Sequence, residues 1–472
     1  MATLAAMIAR HDASGWWLAQ TGSVAPLAPL AGDLTADFVI VGGGYTGMWT
    51  AWLVRELAPD ARVVILESAV CGEGPSGRNG GFVNELWFSL PSMRRRFGDE
   101  PALAVARASR EAVTAVGEWC ERQGVDAWFR MGGYLQVSTT PVHDGTWDET
   151  AAACRELGEP GACQPLDAAG IQARCAAPIF RGGAYFPTAA TVNPGLLARG
   201  LRQALIDAGV EIFERSAVRA VHQSTGGVEV RAAGGTVRAS QAILAAGAGL
   251  AGFSGLRHRL TVTSSHMVIT EPVPDVIDAL GWTGGECITD SRAMVHYFRT
   301  TRDGRIAFGW GGGRIVFGAR ARGRAEVDRR LVEEVASHLV RFFPQLTGRR
   351  IDHAWGGPID VSPTHLPVVG SKPGGRVHFA FGYTGNGVGP SRLAARCLAS
   401  LALDRRDEFS RLAIVDPDPH HVPPEPFRYA GGEIIRAAIL RKEAAEEAGD
   451  RAGPLTRFVS GIPERIGIHV GR

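Results

Sequence analysis

The sequence has almost no lysine, because only Lys372 and Lys442 occur among its 50 lysines and arginines. This scarcity removes most candidates for a catalytic lysine that would form a Schiff base. The seven cysteines are scattered and form no C-x-x-C pair, which argues against structural zinc or a disulfide framework and favours a reducing compartment. No apolar run approaches the roughly 18 residues of a membrane-spanning helix. The apolar residues 2–9 lack a preceding basic segment, so we predict no signal peptide and a cytoplasmic location.

Motifs of several enzyme classes are also absent. The sequence contains no H-E-x-x-H, G-x-S-x-G or G-x-x-x-x-G-K-[ST], so zinc-protease, serine-hydrolase and nucleoside-triphosphatase functions have no support. A formal net charge of +2 gives no reason to expect nucleic acid or an anionic membrane as the main partner. Residues 416–421 include two aspartates and two histidines, but proline-locked loops rarely complete a coordination sphere, so we predict no metal site.

Glycine is abundant instead, and the first glycine cluster follows a short apolar stretch. Residues 37–41 predict a buried strand, and residues 45–57 predict a helix. Gly42, Gly44 and Gly47 stand at their junction in a G-x-G-x-x-G pattern. Such glycines allow a tight turn, close approach of a pyrophosphate and close helix–strand packing, and the helix N-terminus attracts the phosphates. The cluster therefore predicts a dinucleotide site.

The acidic residue that such a site needs is Glu67. It ends a second predicted strand, residues 62–66, and lies 20 positions after Gly47. At that place a carboxylate can accept hydrogen bonds from ribose hydroxyls. Strand, helix, glycines and acid together indicate a bound dinucleotide, which on these residues alone is either NAD or FAD.

Two more glycine clusters occur further along the chain. Residues 71–81 follow Glu67 closely, and residues 381–389 stand between a predicted strand and a helix predicted at 391–403. Such loops are often simply flexible. The place of residues 71–81, directly after the ribose-binding strand, favours contact with the cofactor.

The rest of the pattern predicts two kinds of sheet. Residues 217–221, 228–231 and 236–239 predict an antiparallel meander, followed by a buried strand at 241–249 that runs into glycines. This insertion is typical of flavin-binding Rossmann domains and is less expected of a plain NAD domain. Residues 260–315 alternate repeatedly and predict an antiparallel sheet in a second domain, as the length of 472 residues also suggests.

Together the three glycine clusters resemble those of the D-amino-acid oxidase (DAO) superfamily of FAD enzymes, in particular its glycine/sarcosine oxidase and γ-glutamylputrescine oxidoreductase branch. Residues 290–299 and the proline-rich tail also resemble a subgroup described as aminophosphonate oxidoreductases. The resemblance covers roughly residues 35–410, and its motifs are specific for flavin binding but not for a substrate. It implies an α/β fold, with a Rossmann-like FAD-binding domain that carries a β-meander and an antiparallel-sheet α+β substrate domain. The implied division is an N-terminal lead (1–34), an FAD-binding domain (35–125, 190–258 and 350–410), a substrate domain (126–189 and 259–349) and a C-terminal extension (411–472).

The resemblance also implies that FAD is bound in an extended form, with its adenosine on the first cluster and Glu67. The second and third clusters would lie along the pyrophosphate and the flavin ring. Backbone N–H groups of residues 384–389 would face the pyrimidine edge of the flavin, where negative charge collects on reduction. The implied FAD contacts are Gly42, Gly43, Gly44, Tyr45, Thr46, Gly47, Glu67, Ser68, Ser76, Gly77, Arg78, Asn79, Gly80, Val218, Ala246, Gly247, Gly382, Tyr383, Thr384, Gly385, Asn386, Gly387, Val388 and Gly389.

Three features depart from the family's pattern. Neither lysine falls in the segment where sarcosine-oxidase relatives place one above the flavin, so the electron acceptor, O2 or another, stays open. Residues 355–363 contain no cysteine that would tether the cofactor, so we predict non-covalent FAD. No arginine stands near Gly357, where glycine-oxidase relatives bind the substrate carboxylate. This argues against a simple α-amino acid as substrate, unless Arg292, Arg299 or Arg314 supplies the charge.

Oxidation of an amine by flavin is helped by a group that accepts the amine proton. His266 and Tyr297 lie on predicted strands of the substrate domain and are the candidate catalytic residues, although each also fits a structural role. We predict an enzyme that oxidises the C–N bond of a primary or secondary amine derived from an amino acid, a polyamine or an aminophosphonate. The alternatives are an NAD-dependent Rossmann dehydrogenase and a flavin-binding protein without turnover. A charged helix predicted at 433–448 is interpreted as a solvent-exposed surface.

Overall fold

The computed structural model describes residues 8–319, 323–417 and 420–469. The predictions for residues 2–9 and for residues 416–421 fall partly outside these described residues. The strands are β1 Leu34–Val41, β2 Val63–Leu66, β3 Phe82–Val83, β4 Tyr134–Ser138, β5 Gln164–Leu166, β6 Gly182–Phe186, β7 Ala190–Thr191, β8 Glu211–Phe213, β9 Val218–Ser224, β10 Gly227–Ala232, β11 Gly235–Leu244, β12 Thr261–Thr270, β13 Cys287–Asp290, β14 His296–Thr300, β15 Ile306–Trp310, β16 Ile351–Val361, β17 Val368–Ser371 and β18 Val377–Phe381. The α-helices are Gly15–Gln20, Tyr45–Leu57, Leu90–Phe97, Asp99–Gln123, Asp148–Glu156, Ala168–Gln172, Pro194–Asp207, Pro274–Ala279, Arg329–Phe342, Val388–Ala402, Phe427–Glu447, Pro454–Ser460 and Ile462–Arg465.

The first sheet has the N-terminal strand β1 near its centre. Its strands lie in the order β17–β18–β11–β1–β2–β8, and β10 and β9 extend it from β11 as a meander. β1 pairs in parallel with β11 and β2, and its second half, Phe38–Val41, is buried. The parallel strands therefore end at one edge, which is where open α/β sheets bind their ligands.

The meander differs from its prediction in one respect. The sequence predicted separate strands at 236–239 and 241–249, whereas β11 runs unbroken from Gly235 to Leu244. The first half of β11 pairs with β10, and β11 also pairs with β1 along most of its length. The backbone at Ser240 therefore stays extended.

The second sheet has the order β16–β12–β15–β14–β13–β4–β6–β5, and its neighbours are antiparallel except for β13 and β4. The predicted α/β fold with a second, mostly antiparallel sheet is thus confirmed. β16 lies inside the segment 350–410 that was assigned to the FAD-binding domain, but it pairs with β12 from Thr261 to Thr270 and belongs to the second sheet. The rest of the division into domains stays a prediction.

The two faces of the second sheet have different surroundings. One face packs on the helix Arg329–Phe342, whose apolar side chains form a core with Phe298 and Phe308. Because successive side chains of a strand point to opposite faces, Ser265 and Tyr297 lie on the other face. That second face borders a large cavity.

The C-terminal residues 422–469, here called the roof segment, line this cavity as well. The sequence predicted that its long helix begins near Glu433, whereas the helix begins at Phe427. The interpretation of this helix as a solvent-exposed surface is wrong, because Ala438, Ile439, Glu443 and Glu446 are buried. Among the helices that the structure describes, none combines the length and apolar character of a membrane-spanning segment.

Candidate active site

The first glycine cluster makes a turn that leaves no room for side chains. Gly42 has a φ angle of +109°, and a Cβ atom there would lie 2.6 Å from the carbonyl oxygen of Ala245. A Cβ atom on Gly47 would lie 1.9 Å from the carbonyl oxygen of Gly42. Both glycines are therefore required sterically, and they bring the N-terminus of the helix Tyr45–Leu57 to the carboxyl edge of β1.

Glu67 lies at the mouth of this turn. Its carboxylate accepts hydrogen bonds from the N–H of Gly43 at 2.7 Å, the N–H of Ala69 at 2.8 Å and the hydroxyl of Ser68 at 3.0 Å. Three donors fix the direction of the carboxylate. The predicted ribose-binding acid is thus held in one orientation beside the predicted pyrophosphate turn.

The other residues predicted for the adenosine end lie at the same edge. The carbonyl oxygen of Glu67 accepts a hydrogen bond at 2.7 Å from the N–H of Ser216, two residues before β9 begins at Val218. Ala246 and Gly247 lie two and three residues after the end of β11, whose last residues pair with those of β1. The sheet therefore gathers these residues of distant segments around the first glycine cluster.

The second glycine cluster is attached to the first by a side chain. The hydroxyl oxygen of Ser76 accepts a hydrogen bond at 2.9 Å from the N–H of Tyr45. The side chain of Asn79 donates to the carbonyl of Ser76 at 2.7 Å and accepts from a backbone N–H of its own loop at 2.7 Å. Arg78 forms an ion pair with Glu326 at 3.1 Å. These polar side chains hold the loop, and Arg78, Asn79 and Gly80 border the cavity.

The third glycine cluster is organised by the buried carboxyl group of Asp360. Its Oδ2 accepts a hydrogen bond at 2.5 Å from the N–H of Gly382, and its carbonyl accepts from Thr384 at 2.9 Å. Burial raises the pKa of Asp360 to about 6, although these backbone donors oppose the rise. Tyr383 joins this cluster to the first, because its hydroxyl lies 2.8 Å from that of Thr46.

The N–H groups predicted to face the flavin fall into two sets. Those of Thr384 and Asn386 donate to the carbonyls of Asp360 and Tyr383, so hydrogen bonds within the protein use them. The helix begins at Val388, and the N–H groups of a first helical turn have no partner within the helix. The N–H groups of Val388 and Gly389 therefore remain the predicted donors toward the flavin, and Val388 also borders the cavity.

The cavity has a volume of about 590 Å³ and joins parts of the chain that lie far apart in sequence. The second and third glycine clusters, the second sheet and the roof segment all contribute to its walls. Gly42–Gly47 are not among its lining residues and lie at the edge of the first sheet. The wall formed by the second sheet includes Thr261, Thr263, Ser265, Met267, Tyr297, Trp355, Gly357 and Ile359.

Tyr297, one of the two catalytic candidates, lies on this wall. Its hydroxyl is 2.7 Å from Oγ of Ser265, which donates its own proton to the carbonyl of Trp310 at 2.9 Å. Tyr297 is therefore the donor to Ser265, and the lone pairs of its oxygen stay available as acceptors. Burial raises the pKa of Tyr297 to about 12, so the phenol is neutral near pH 7.

His266, the other candidate, is not brought to the cavity. Alternation along β12 directs Ser265 and Met267 toward the cavity and His266 toward the opposite face. The imidazole is 1% exposed, and neither ring nitrogen has a hydrogen-bond partner among the residues that the structure describes. Burial lowers the pKa of His266 to about 4. His266 therefore has no place in the site that we propose.

The three arginines considered for a substrate carboxylate are engaged elsewhere. Arg292 pairs with Asp290 at 3.1 Å, and Arg314 pairs with Asp328 at 2.9 Å. Arg299 donates to the carbonyl oxygens of Gly81 and Val192. None of the three is among the described residues that line the cavity.

The roof segment was missed as part of the site. Gly431, Ile435 and Ile439, spaced by four residues on one face of the helix Phe427–Glu447, all line the cavity. This spacing was a readable sign of a buried helix face. Arg436 fastens the helix by donating to the carbonyls of Gly312 and Gly313, at distances of 2.6 to 3.0 Å.

A second fastening makes the stability of the protein depend on pH. Glu443 is 6% exposed and accepts a hydrogen bond at 3.0 Å from the N–H of Met294. Burial raises its pKa to about 7, so the folded state favours the neutral carboxyl. Its stabilising contribution is complete below the unfolded pKa near 4.5 and is lost as the pH rises through about 7.

We therefore expect Glu443→Gln, which imitates the neutral carboxyl, to raise the free energy of unfolding at pH 8.5 by at most roughly 3 kcal/mol and to change it little at pH 4.5. Thermal unfolding of both proteins at the two pH values measures this. Glu118→Gln, at an exposed glutamate, is the matched control. Equal effects of Glu443→Gln at both pH values would contradict the pKa argument.

The residues at the edge of the first sheet fit a dinucleotide. The turn admits no side chain at Gly42 or Gly47, a helix N-terminus faces the same edge, and Glu67 is oriented beside it. The adjoining cavity extends from the second and third clusters, and a long dinucleotide with a reactive ring requires such a continuation.

This arrangement is that of an FAD-dependent oxidoreductase. Residues 37–401 match the model of the DAO family, described as FAD dependent oxidoreductase, and the chain belongs to that family. The resemblance recognised in the sequence, the FAD cofactor and the enzymatic character are thereby confirmed, and NAD is displaced as the alternative.

The chain is similar to several characterised proteins. It is 28% identical over 441 residues to γ-glutamylputrescine oxidoreductase of Escherichia coli K12, covering 92% of this chain and 96% of the relative. It is 28% identical over 390 residues to glycine oxidase of Geobacillus kaustophilus, covering 79% and 94%. The crystal structure of the G. kaustophilus glycine oxidase superposes with a TM-score of 0.66 at 22% identity, covering 79% of this chain and 96% of that one. This likeness supports the fold.

Proposed function

We propose that this enzyme oxidises the C–N bond of a primary or secondary amine, using FAD held by the three glycine clusters. The observation that carries the proposal is the continuous cavity that joins the second and third clusters to Tyr297 on the second sheet. An amine bound there would lie between the proposed flavin site and a neutral hydroxyl oxygen. The names of two relatives, γ-glutamylputrescine oxidoreductase and glycine oxidase, support an amine as the substrate class.

The protein's own contribution is to hold the substrate amine in position and to exclude water from the cavity around it. Bound FAD would accept a hydride from the C–H next to the nitrogen of a neutral amine, and water would hydrolyse the resulting iminium ion to a carbonyl compound and a protonated amine or ammonium. In this proposal the oxygen of Tyr297 accepts a hydrogen bond from the substrate N–H. Met267 and Trp355 supply apolar walls that limit water around the reacting carbon.

The test is the visible spectrum of the purified protein before and after anaerobic addition of amines. We expect a yellow protein that bleaches with at least one amine among sarcosine, putrescine, N-acylated putrescines and aminophosphonates. A protein that binds FAD but bleaches with none of a broad amine panel would contradict the proposed oxidation of an amine. Neither Lys372 nor Lys442 is among the described residues that line the cavity, so the electron acceptor stays open. Peroxide formation on admission of air then distinguishes O2 from another acceptor.

Tyr297→Phe tests the proposed role of the hydroxyl group. Because phenylalanine keeps the ring against Phe82, we expect the variant to fold and to bind FAD normally. Loss of the hydrogen bond to the amine should lower kcat/KM roughly tenfold to a hundredfold. Steady-state kinetics measure this, and Tyr185→Phe, at a tyrosine outside the cavity, is the control. Unchanged kcat/KM in Tyr297→Phe would remove the hydroxyl from the mechanism.

We also expect the FAD to be non-covalent. No cysteine is among the described residues that line the cavity, and burial raises the pKa of the nearest thiol to the turn, Cys71, which disfavours the reactive thiolate. Acid precipitation should therefore release all the yellow colour into the supernatant. Colour that stays with the protein pellet would show a covalent bond instead.

A further inference from the structure

The helix Phe427–Glu447 contains two adjacent glycines, Gly431 and Gly432, in its interior. Glycine is unfavourable inside a helix, because it loses more conformational freedom on folding than other residues. The two positions therefore need a reason that outweighs local helix stability. Both border the cavity, and the structure gives them different reasons.

Gly432 is explained by a close approach. A Cβ atom there would lie 3.0 Å from the side chain of Ile315, which forms a bridge with Thr263 of β12. Glycine at this position lets the helix settle on the 311–315 loop. The carboxylate of Glu433 strengthens the same contact by accepting a hydrogen bond at 2.8 Å from the N–H of Ile315.

Gly431 has no such neighbour. Apart from its chain neighbours and the backbone of its own helix, no heavy atom of the described residues lies within 4 Å of the position that its Cβ would take. Its φ angle is not in the left-handed region, so the backbone conformation would admit a larger side chain. The space in front of it is the cavity, whose nearby walls on the same helix are Ile435 and Ile439. The absence of a side chain at Gly431 therefore enlarges the cavity and serves no packing purpose.

We propose that Gly431 is a specificity-determining residue that makes room for an extended, mainly apolar part of the amine substrate. The inference deepens the proposed function and rests on it. The substrate class that it names is an amine with a chain of several carbon atoms or an acyl group beyond the reacting C–N bond. Gly431 also lies beyond residues 37–401, the part of the chain that matches the family.

The sheet wall offers a comparison within the same cavity. Gly357 of β16 also has open space at its Cβ position, and it pairs with Ser265, the acceptor for Tyr297. A side chain at Gly357 would stand beside the proposed reacting centre and should hinder short and long amines alike. A side chain at Gly431 should hinder long amines selectively.

The experiment uses Gly431→Leu in the FAD-loaded enzyme, with Gly431→Ala as a milder variant should leucine impair folding. Dissociation constants for straight-chain amines from propylamine to octylamine are measured by perturbation of the flavin spectrum, which does not require turnover. In the unmodified enzyme, affinity should rise with chain length. In Gly431→Leu, the preference for hexylamine over propylamine should fall at least about tenfold, with kcat/KM following for those amines that react.

The control is Gly161→Leu. Gly161 also has no described heavy atom within 4 Å of its Cβ position apart from its chain neighbours, but it lies on an exposed loop outside the cavity. Equal losses for short and long amines in Gly431→Leu would overturn the inference. Loss of FAD from Gly431→Leu would also overturn it, because the space would then belong to the cofactor. Chain-length-dependent binding without bleaching by any amine would refute the proposed function and leave the role of Gly431 intact.

Discussion

Gly44→Val is expected to give a folded but colourless protein. Gly44 precedes the helix Tyr45–Leu57 with an extended backbone, and a Cβ atom there would meet only Oγ of Ser76, at 3.1 Å. The fold can therefore accept a side chain, unlike at Gly42 or Gly47. The same side chain would stand where the phosphates must approach the helix N-terminus. We expect the dissociation constant for FAD to rise at least a hundredfold, which corresponds to about 2.7 kcal/mol.

FAD binding is measured by titration of the apoprotein and by the absorbance ratio of the loaded protein. Thermal unfolding without cofactor tests whether the variant is folded. Gly161→Val, on an exposed loop with open space around its Cβ position, is the matched control and should bind FAD normally. A Gly44→Val protein that binds FAD as tightly as the unmodified protein would place the pyrophosphate elsewhere.

Arg202→Met is expected to destabilise the protein by roughly 3–5 kcal/mol, because it leaves a buried charge without its partner. Arg202 and Glu214 form a two-point ion pair, with distances of 2.8 and 3.0 Å and side-chain exposures of 8% and 0%. Burial alone would raise the pKa of Glu214, but the hydrogen bonds from Arg202 and from the N–H groups of Cys71 and Leu27 outweigh it and lower the pKa. Methionine keeps the length of the side chain but removes both hydrogen bonds.

The effect should extend to the cofactor site. Glu214 holds the N–H of Cys71 at 2.8 Å, and the next residue, Gly72, donates to the carbonyl of Gly43 at 2.9 Å. We expect weaker FAD binding together with a lower melting temperature. The control is Arg231→Met, which breaks an exposed pair with Glu229 and should cost less than about 1 kcal/mol. Similar losses of the free energy of unfolding in the two variants would mean that burial does not decide how much these ion pairs stabilise the protein.

The parts of the fold that follow from local sequence were predictable. The first strand, the glycine turn and Glu67 are defined by residues within a stretch of about 30, where backbone conformation and spacing carry the information. The helix Asp99–Gln123 also has such a local signal, because its apolar positions repeat at helical spacing along 25 residues. Such signals do not depend on the remainder of the chain.

The parts that depend on which face meets which neighbour were not predictable. The alternation along β12 showed that Ser265 and His266 point to opposite faces, but only the packing of the helix Arg329–Phe342 decides which face borders the cavity. The many charged residues of the helix Phe427–Glu447 led to the prediction that it is exposed to solvent. Several of them, including Glu443 and Arg436, bind backbone groups of distant loops, and no local pattern identifies those partners.

The roof segment follows the strands of both sheets along the chain, and this order has a consequence for biosynthesis. The first glycine turn is translated early, whereas the third cluster follows more than 300 residues later and the helix Phe427–Glu447 later still. When the third cluster has emerged from the ribosome, both sheets can form, but the cavity still lacks its cover. We therefore expect that FAD can enter the site before the helix Phe427–Glu447 and the residues after it cover the cavity. We expect the protein to bind FAD faster when FAD is present from the start of refolding than when FAD is added to the folded apoprotein.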